Sequence, residues 1–301
     1  MKNIWIIVLI LCFAAQANAQ IRVVTTTPDL AAIAQKIGGD HIVVTAIAKG
    51  YQDPHYVQAK PSYMRLLNRA DLLIYTGLEL EVGWLPLIIQ GARNPKITPG
   101  ATGHLEASQG IAPLEIPTGQ IDRSMGDIHP EGNPHYLLDP RNGLVVAKAI
   151  AMKLSELTPK HAQIFQKNLT QFQKHLQANI ASWEIRLKPL QSKKIITHHK
   201  LWEYLANWLQ LIIVNQVESK PGISPSPRHI AKLVSQMEAE NIELLLCSNL
   251  ADPKPAKRVS ERANARLLIL PASVGGEPEI TTYTNLFEII VSRIESTVTG
   301  P

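Results

Sequence analysis

The apolar positions of this chain alternate between two rhythms. IRVVTTT, HIVVTAIA and DLLIYTG in the first 77 residues are apolar or β-branched at nearly every position, which predicts buried strands. Between them, apolar residues recur at steps of three and four. Leu30, Ile33, Ala34 and Ile37 do so in PDLAAIAQKIGG, with Pro28 near the start and Gly38 at the end, as a helix requires. PSYMRLLNRA and GWLPLIIQGA predict two more short helices. Strands alternating with helices predict a parallel sheet in a layered α/β lobe. Residues 98–134 are rich in Gly, Pro and polar groups and follow neither rhythm. They are expected to form a long irregular connection, and an ordered loop of that length is usually functional.

The helical rhythm resumes in DPRNGLVVAKAIAMKLSEL, with Asp139 as its cap. Pro159 then opens a longer stretch. Phe165, Leu169, Phe172, Leu176, Ile180, Trp183 and Leu187 form one stripe on a helix of about 28 residues, or roughly 40 Å. That is more than twice the usual length of about 11–12 residues, and it suits a brace between two lobes better than a coiled coil. After it, KKIITHH, LIIVNQV, IELLLCSN and RLLILPA predict strands. KLWEYLANWL, SPSPRHIAKLVSQMEAEN, AKRVSERANA and YTNLFEIIVSRIESTV predict the helices among them. The expected fold is α/β, with two lobes, each a mostly parallel sheet flanked by helices. Residues 20–157 form the first, 190–301 the second, and one long bridging helix within 158–189 joins them. Such lobes bind ligands at the carboxyl ends of their strands, so the cleft between them is the natural site.

The chain starts MKNIWIIVLILCFAAQANAQ, a charged start, an apolar run from Ile4 to Ala15, and Ala17-Asn18-Ala19. This predicts a signal peptide over 1–19, cleaved before Gln20, and export to a periplasm. A membrane span takes about 20 apolar residues, more than this run supplies. Cys12 follows Leu11 rather than a small residue, which argues against lipid attachment. Cleavage leaves Cys247, in an apolar run, as a buried small hydrophobe without a disulfide partner. Hydrophobic content of 45% with 18% charged residues indicates an ordered globular protein. The net charge of +5 is dispersed, with no basic stripe interleaved with aromatics, which excludes nucleic acid as a partner. A monomer is expected.

Three of the ten histidines fall where strands hand over to helices: His55 in DPHY, His135 in NPHYLLDP, and His199, or its neighbour His198, in KKIITHH. Neutral imidazole is the commonest side-chain metal ligand. Three nitrogens with an oxygen donor or water suit Zn2+, whereas Mn2+ prefers more oxygen. His41, His104, His161, His175 and His229 read as ordinary surface or capping residues. His129 stands in the long loop as a secondary ligand or a lid residue. A secreted zinc-dependent hydrolase could use an open three-histidine site, but the chain has no HExxH motif and no evident general base.

The motifs VVTTTPDLAAIAQKIGGD, DPHYVQAKPS, NPHYLLDP, HHKLWEYLANW, ESKPGISPSPRHI, DPKPAKRVSERANARLLILP and SVGGEP run through nearly the whole mature chain. In them the chain resembles the zinc and manganese receptors of ABC transporters, extracytoplasmic solute-binding proteins that deliver a metal to a membrane permease. The resemblance implies a non-catalytic receptor, two α/β lobes bridged by a long helix, and His55, His135 and His199 as ligands. Zinc is the expected cargo, with manganese second. At the fourth ligand position the family often places an aspartate after a serine, but here Ser273 is followed by Val274. Glu277, Glu218 or water is left to complete the shell. Asp139 and Glu203 are the expected acceptors that fix the histidine tautomers.

Overall fold

The structure is a computed structural model that describes residues 20–119 and 129–299; the expected signal at 1–19 lies outside them. Two four-stranded sheets are built, all of whose strands run parallel. The first contains β1 (Ile21–Thr25), β2 (Ile42–Ala46), β3 (Leu72–Tyr75) and β4 (His104–Glu106), in the order β2-β1-β3-β4. The second contains β5 (Lys194–Thr197), β6 (Ile212–Gln216), β7 (Leu244–Ser248) and β8 (Arg266–Leu270), in the order β6-β5-β7-β8. Both halves therefore follow the same path. Helices α1 (Pro28–Gly38), α2 (Pro61–Asn68) and α3 (Leu85–Ala92) connect the first sheet. Helices α6 (Glu203–Leu209), α7 (Pro227–Ala239), α8 (Lys254–Arg262) and α9 (Tyr283–Thr299) belong to the second.

Between the sheets lie α4 (Pro140–Leu157) and α5 (Ala162–Leu187). Every member of the stripe from Phe165 to Leu187 is buried. It packs on α1 and α4 on one side and on α9 on the other. One continuous apolar core consequently takes in side chains of both sheets, from Val23 to Leu268. Each such side chain contributes about 1.5–3 kcal/mol on burial, so the bridge is a stiff part of the fold. Arg186 reinforces it with ion pairs to Glu288 and Glu295 of α9.

Pro159 opens the long helical stretch as expected, with a 3-10 first turn, Pro159–His161, before α5 begins at Ala162. One expectation needs correction. Strand β4 falls inside the stretch expected to be irregular. Its three residues are too few to show a period, and the strand is made by pairing, Leu73 to His104 and Tyr75 to Glu106. Gly103 permits it: a Cβ there would stand 2.3 Å from the Asp71 carbonyl oxygen.

The lobes also meet at a seam beside the cleft. Asp29, in the first turn of α1, is 8% exposed. Its carboxylate accepts from Ser273 Oγ at 2.5 Å and from the Val274 amide at 2.9 Å, both in the other lobe. Burial pushes its carboxyl up to about 6. Nearby, Gly50 lies so close to the opposite loop that a Cβ would meet Gly275 C and Val274 O at 2.2 Å.

Two outcomes follow for the seam. A Gly50→Ala variant is expected to lose about 1–3 kcal/mol and to part the lobes, read by denaturant unfolding and by a larger radius of gyration in small-angle scattering; an unchanged radius and stability would contradict the contact. Because the folded pKa of Asp29 lies above its unfolded value near 3.8, the native state holds the extra proton. Wild type should therefore lose stability relative to Asp29→Asn as pH rises from about 4 to 6, by up to about 3 kcal/mol. Parallel pH profiles for the two proteins would refute this.

Candidate metal centre

The parallel strands of both lobes end at one cleft, a cavity of about 440 Å³ lined by His55, His135, His198, His199, Glu218 and Asp29 among others. His55 follows β2 in a 3-10 turn, Pro54–Tyr56. Asp53 forms that turn by accepting from the His55 amide at 2.9 Å, and Trp84 Nε1–H holds the Pro54 carbonyl at 2.9 Å. His135 precedes a second 3-10 turn, Tyr136–Leu138. Its neighbour Tyr136 is fully buried and donates its hydroxyl to the Thr76 carbonyl at 2.8 Å, past the end of β3. His199 follows β5, and the β5–β6 pairing continues beyond the strands through Glu218 N–H to the His198 carbonyl at 3.0 Å. This register sets Glu218 beside both histidines.

These backbone arrangements bring the three predicted ligands together. The rings of His55 and His135 have centroids 5.2 Å apart, and those of His135 and His199 are 6.3 Å apart. His129, from the long loop, joins them: its ring is 5.2 Å from His55, and the two Nε2 atoms are 3.1 Å apart. The rings surround the cleft without yet converging. Among the described residues, no three His, Cys, Asp or Glu side chains are already placed to hold an ion.

The outward nitrogens are oriented by carboxylates. His55 Nδ1–H donates to Asp53 Oδ1 at 2.7 Å, and His199 Nδ1–H donates to Glu218 Oε2 at 2.8 Å. Each bond fixes the tautomer that presents an Nε2 lone pair to the cleft, the usual carboxylate–histidine–metal arrangement. Burial pushes the Asp53 and Glu218 carboxyls up, but their imidazole partners outweigh it and hold both below the ordinary range. Burial also lowers His199, yet the hydrogen bond and charge of Glu218 leave it above the usual imidazole value. His135 has no such partner. Burial, then the neighbouring His55, His199 and His129, drive it well below its ordinary value and keep it neutral.

Several sequence expectations are redirected here. Glu277 is not brought to the cluster: Arg293 of α9 grips its two oxygens at 2.7 and 2.5 Å. The Gly275 turn, at φ +73°, points the chain that way. Glu218 lies at the site, committed to His199 rather than free. Asp139 caps α4 and pairs with Arg141, while Glu203 receives Asn133 Nδ2–H at 3.3 Å. Neither touches an imidazole, and Asp53 and Glu218 have the orienting role. The Asp-Pro-His spacing was the signal for Asp53, since an Asp two residues before a turn amide closes an Asx turn. His198 lies behind Glu218, 4% exposed, with Cys247 Sγ at 3.5 Å. Cys247 is buried, and burial raises its thiol to about 11. His41 stacks on His161, His104 Nδ1–H donates to the Ile97 carbonyl, His229 Nε2–H donates to that of Gln216, and His175 is exposed.

Asn133 ties the loops of His135 and His199 to each other. Its Oδ1 accepts from the His135 amide at 2.9 Å, and its Nδ2 donates to the Lys200 carbonyl, next to His199, at 3.0 Å. Its own carbonyl accepts the Tyr204 hydroxyl at 2.9 Å.

Fold and site together define a two-lobed α/β binding protein whose cleft is lined by imidazoles. The family model described as the periplasmic component A of the zinc-uptake complex (ZnuA) matches residues 23–297. The chain belongs to this family, the substrate-binding proteins of metal ABC transporters, which work with a membrane permease and are not enzymes. The manganese ABC transporter substrate-binding lipoprotein PsaA of Streptococcus pneumoniae is 26% identical over 253 residues, 82% of this chain and 78% of that one. The zinc-bound 138–173 deletion mutant of ZnuA has a TM-score of 0.77 at 22% identity, covering 94% of this chain and 100% of that one. The manganese-bound periplasmic metal-binding protein of Candidatus Liberibacter asiaticus also has a TM-score of 0.77, at 21% identity, covering 93% and 100%. Among the described residues, no helix is long and apolar enough to cross a membrane.

Asp53→Asn and Glu218→Gln remove the acceptors that orient His55 and His199. Each is expected to weaken metal binding by about 10–100-fold with little change in metal-free stability, as measured by chelator competition and thermal unfolding. Wild-type affinity in both variants would show that the carboxylates do not orient ligands.

Proposed function

We propose that this protein captures a divalent transition metal in the periplasm, zinc in preference to manganese, and hands it to the permease of an ABC transporter. The observation that carries this is the meeting of His55, His135 and His199 at one interlobe cleft, with the distal nitrogens of His55 and His199 fixed by carboxylates. An ion leaving water gives up a hydration shell and needs lone pairs already aimed at it. Imidazole nitrogen suits zinc, while manganese prefers carboxylate and water oxygen. The position after Ser273, where the family often has an aspartate, is an apolar, buried Val274, which reduces the oxygen supply further. The Ala-x-Ala ending at Ala19 supports release into the periplasm by signal cleavage. The stiff bridge along α5 limits how far the lobes part, so the cleft can open enough for exchange while the ligand loops stay in register.

Protein purified and then equilibrated with equal amounts of zinc and manganese should hold close to one zinc per chain by elemental analysis. His55→Ala, His135→Ala and His199→Ala should each lose most of it. Retention of manganese instead would remove the zinc preference, and unchanged zinc in all three variants would remove the site.

A further inference from the structure

We propose that His129 completes the donor set, so that the metal is held by four imidazoles and this loop histidine sets the preference for zinc over manganese. The inference rests on the receptor reading above and adds a ligand that the chain's motifs do not supply.

The geometry points to it. Two nitrogens bound to one tetrahedral zinc at about 2.0–2.1 Å stand about 3.3 Å apart, and the centroids of their rings about 5.2 Å apart. His55 and His129 have Nε2 atoms 3.1 Å apart and centroids 5.2 Å apart, nearly the edge of that tetrahedron. The His55–His135 centroid separation is 5.2 Å as well. The rings of His135 and His199 are farther apart, at 6.3 Å, and that pair closes as the ion binds. His129 also lines a smaller recess together with His135 and His199, so it reaches the cluster and not only one member of it.

The carboxylates that could compete are engaged elsewhere. Asp53 and Glu218 hold His55 and His199. Glu277 is held by Arg293, and Asp29 by Ser273 and Val274. Asp252 accepts from the Lys254 amide at the start of α8. His129 is anchored to the fold. Its carbonyl accepts from Gly132 N–H at 3.1 Å, and Asn133 N–H donates to Leu114 at 2.8 Å. Gly132, at φ +109°, makes the turn between these two bonds possible.

With the His55 proton fixed on Nδ1 by Asp53, His129 Nε2–H donates to the His55 Nε2 lone pair. When an ion enters, that hydrogen moves to His129 Nδ1, and both Nε2 lone pairs turn to the metal. The imidazole changes tautomer, and its composition does not change.

The experiment compares zinc-loaded wild type with His129→Ala, His129→Gln and His129→Asp. X-ray absorption fine structure counts imidazoles, chelator challenge measures release, and metal-free thermal unfolding confirms the fold. Wild type should show four imidazoles. The Ala and Gln variants should show three and release zinc about tenfold faster or more. His129→Asp should narrow the zinc-over-manganese preference in direct competition. Three imidazoles in wild type, or variants matching wild type in count and release rate, would overturn the role of His129 alone. Wild type without stoichiometric metal, or His135→Ala binding as wild type does, would overturn the receptor reading itself.

Discussion

Seven apolar side chains along α5, from Phe165 to Leu187, are buried in a core shared by both sheets. That shared burial is the constraint from which the site follows. Two α/β lobes with separate cores would drift relative to each other, as lobes joined by a small polar interface do. Here α1, α4 and α9 pack on the same helix, and the carboxyl ends of both sheets are held face to face. Histidines remote in the sequence then meet at a short distance: His55 follows β2, His199 follows β5, and His135 stands at the turn that leads into α4.

At that cleft the chemistry depends on which imidazole nitrogen keeps its proton. Asp53 and Glu218 each accept a hydrogen bond from the Nδ1–H of a histidine, leaving Nε2 lone pairs toward the cavity. His135 reaches the same end by a different route, since burial and three neighbouring imidazoles keep it neutral. The fold thus sets the tautomers, while among the described residues no three such side chains are yet placed to hold an ion.

The seam complements the bridge. Asp29 reaches from α1 to Ser273 and Val274, Gly50 lies against Gly275, and Asn133 joins the loops of His135 and His199. All three contacts lie beside the cleft, so small changes in lobe spacing act directly on the distance between the histidines. A cavity of about 440 Å³ is larger than one ion fills.

Much of the architecture is legible in local pattern. The periodic apolar stripe identified α5, because a helix that braces two lobes must bury one face along its whole length. Alternating strand and helix signals identified the two parallel sheets, and the junction positions of His55, His135 and His199 singled them out. The rest depends on contacts between distant segments. Strand β4 exists only through its pairing with β3, which no three-residue period can show. Glu277 lies in a Gly-rich loop, and what engages it is Arg293, sixteen residues further on in α9. The approach of His129 to His55 spans 74 residues of chain, and the tautomers depend on carboxylates placed by register and turn. Local pattern records which face of an element is buried. Which side chains then meet across the cleft is decided by long-range packing, and only the tertiary structure contains that.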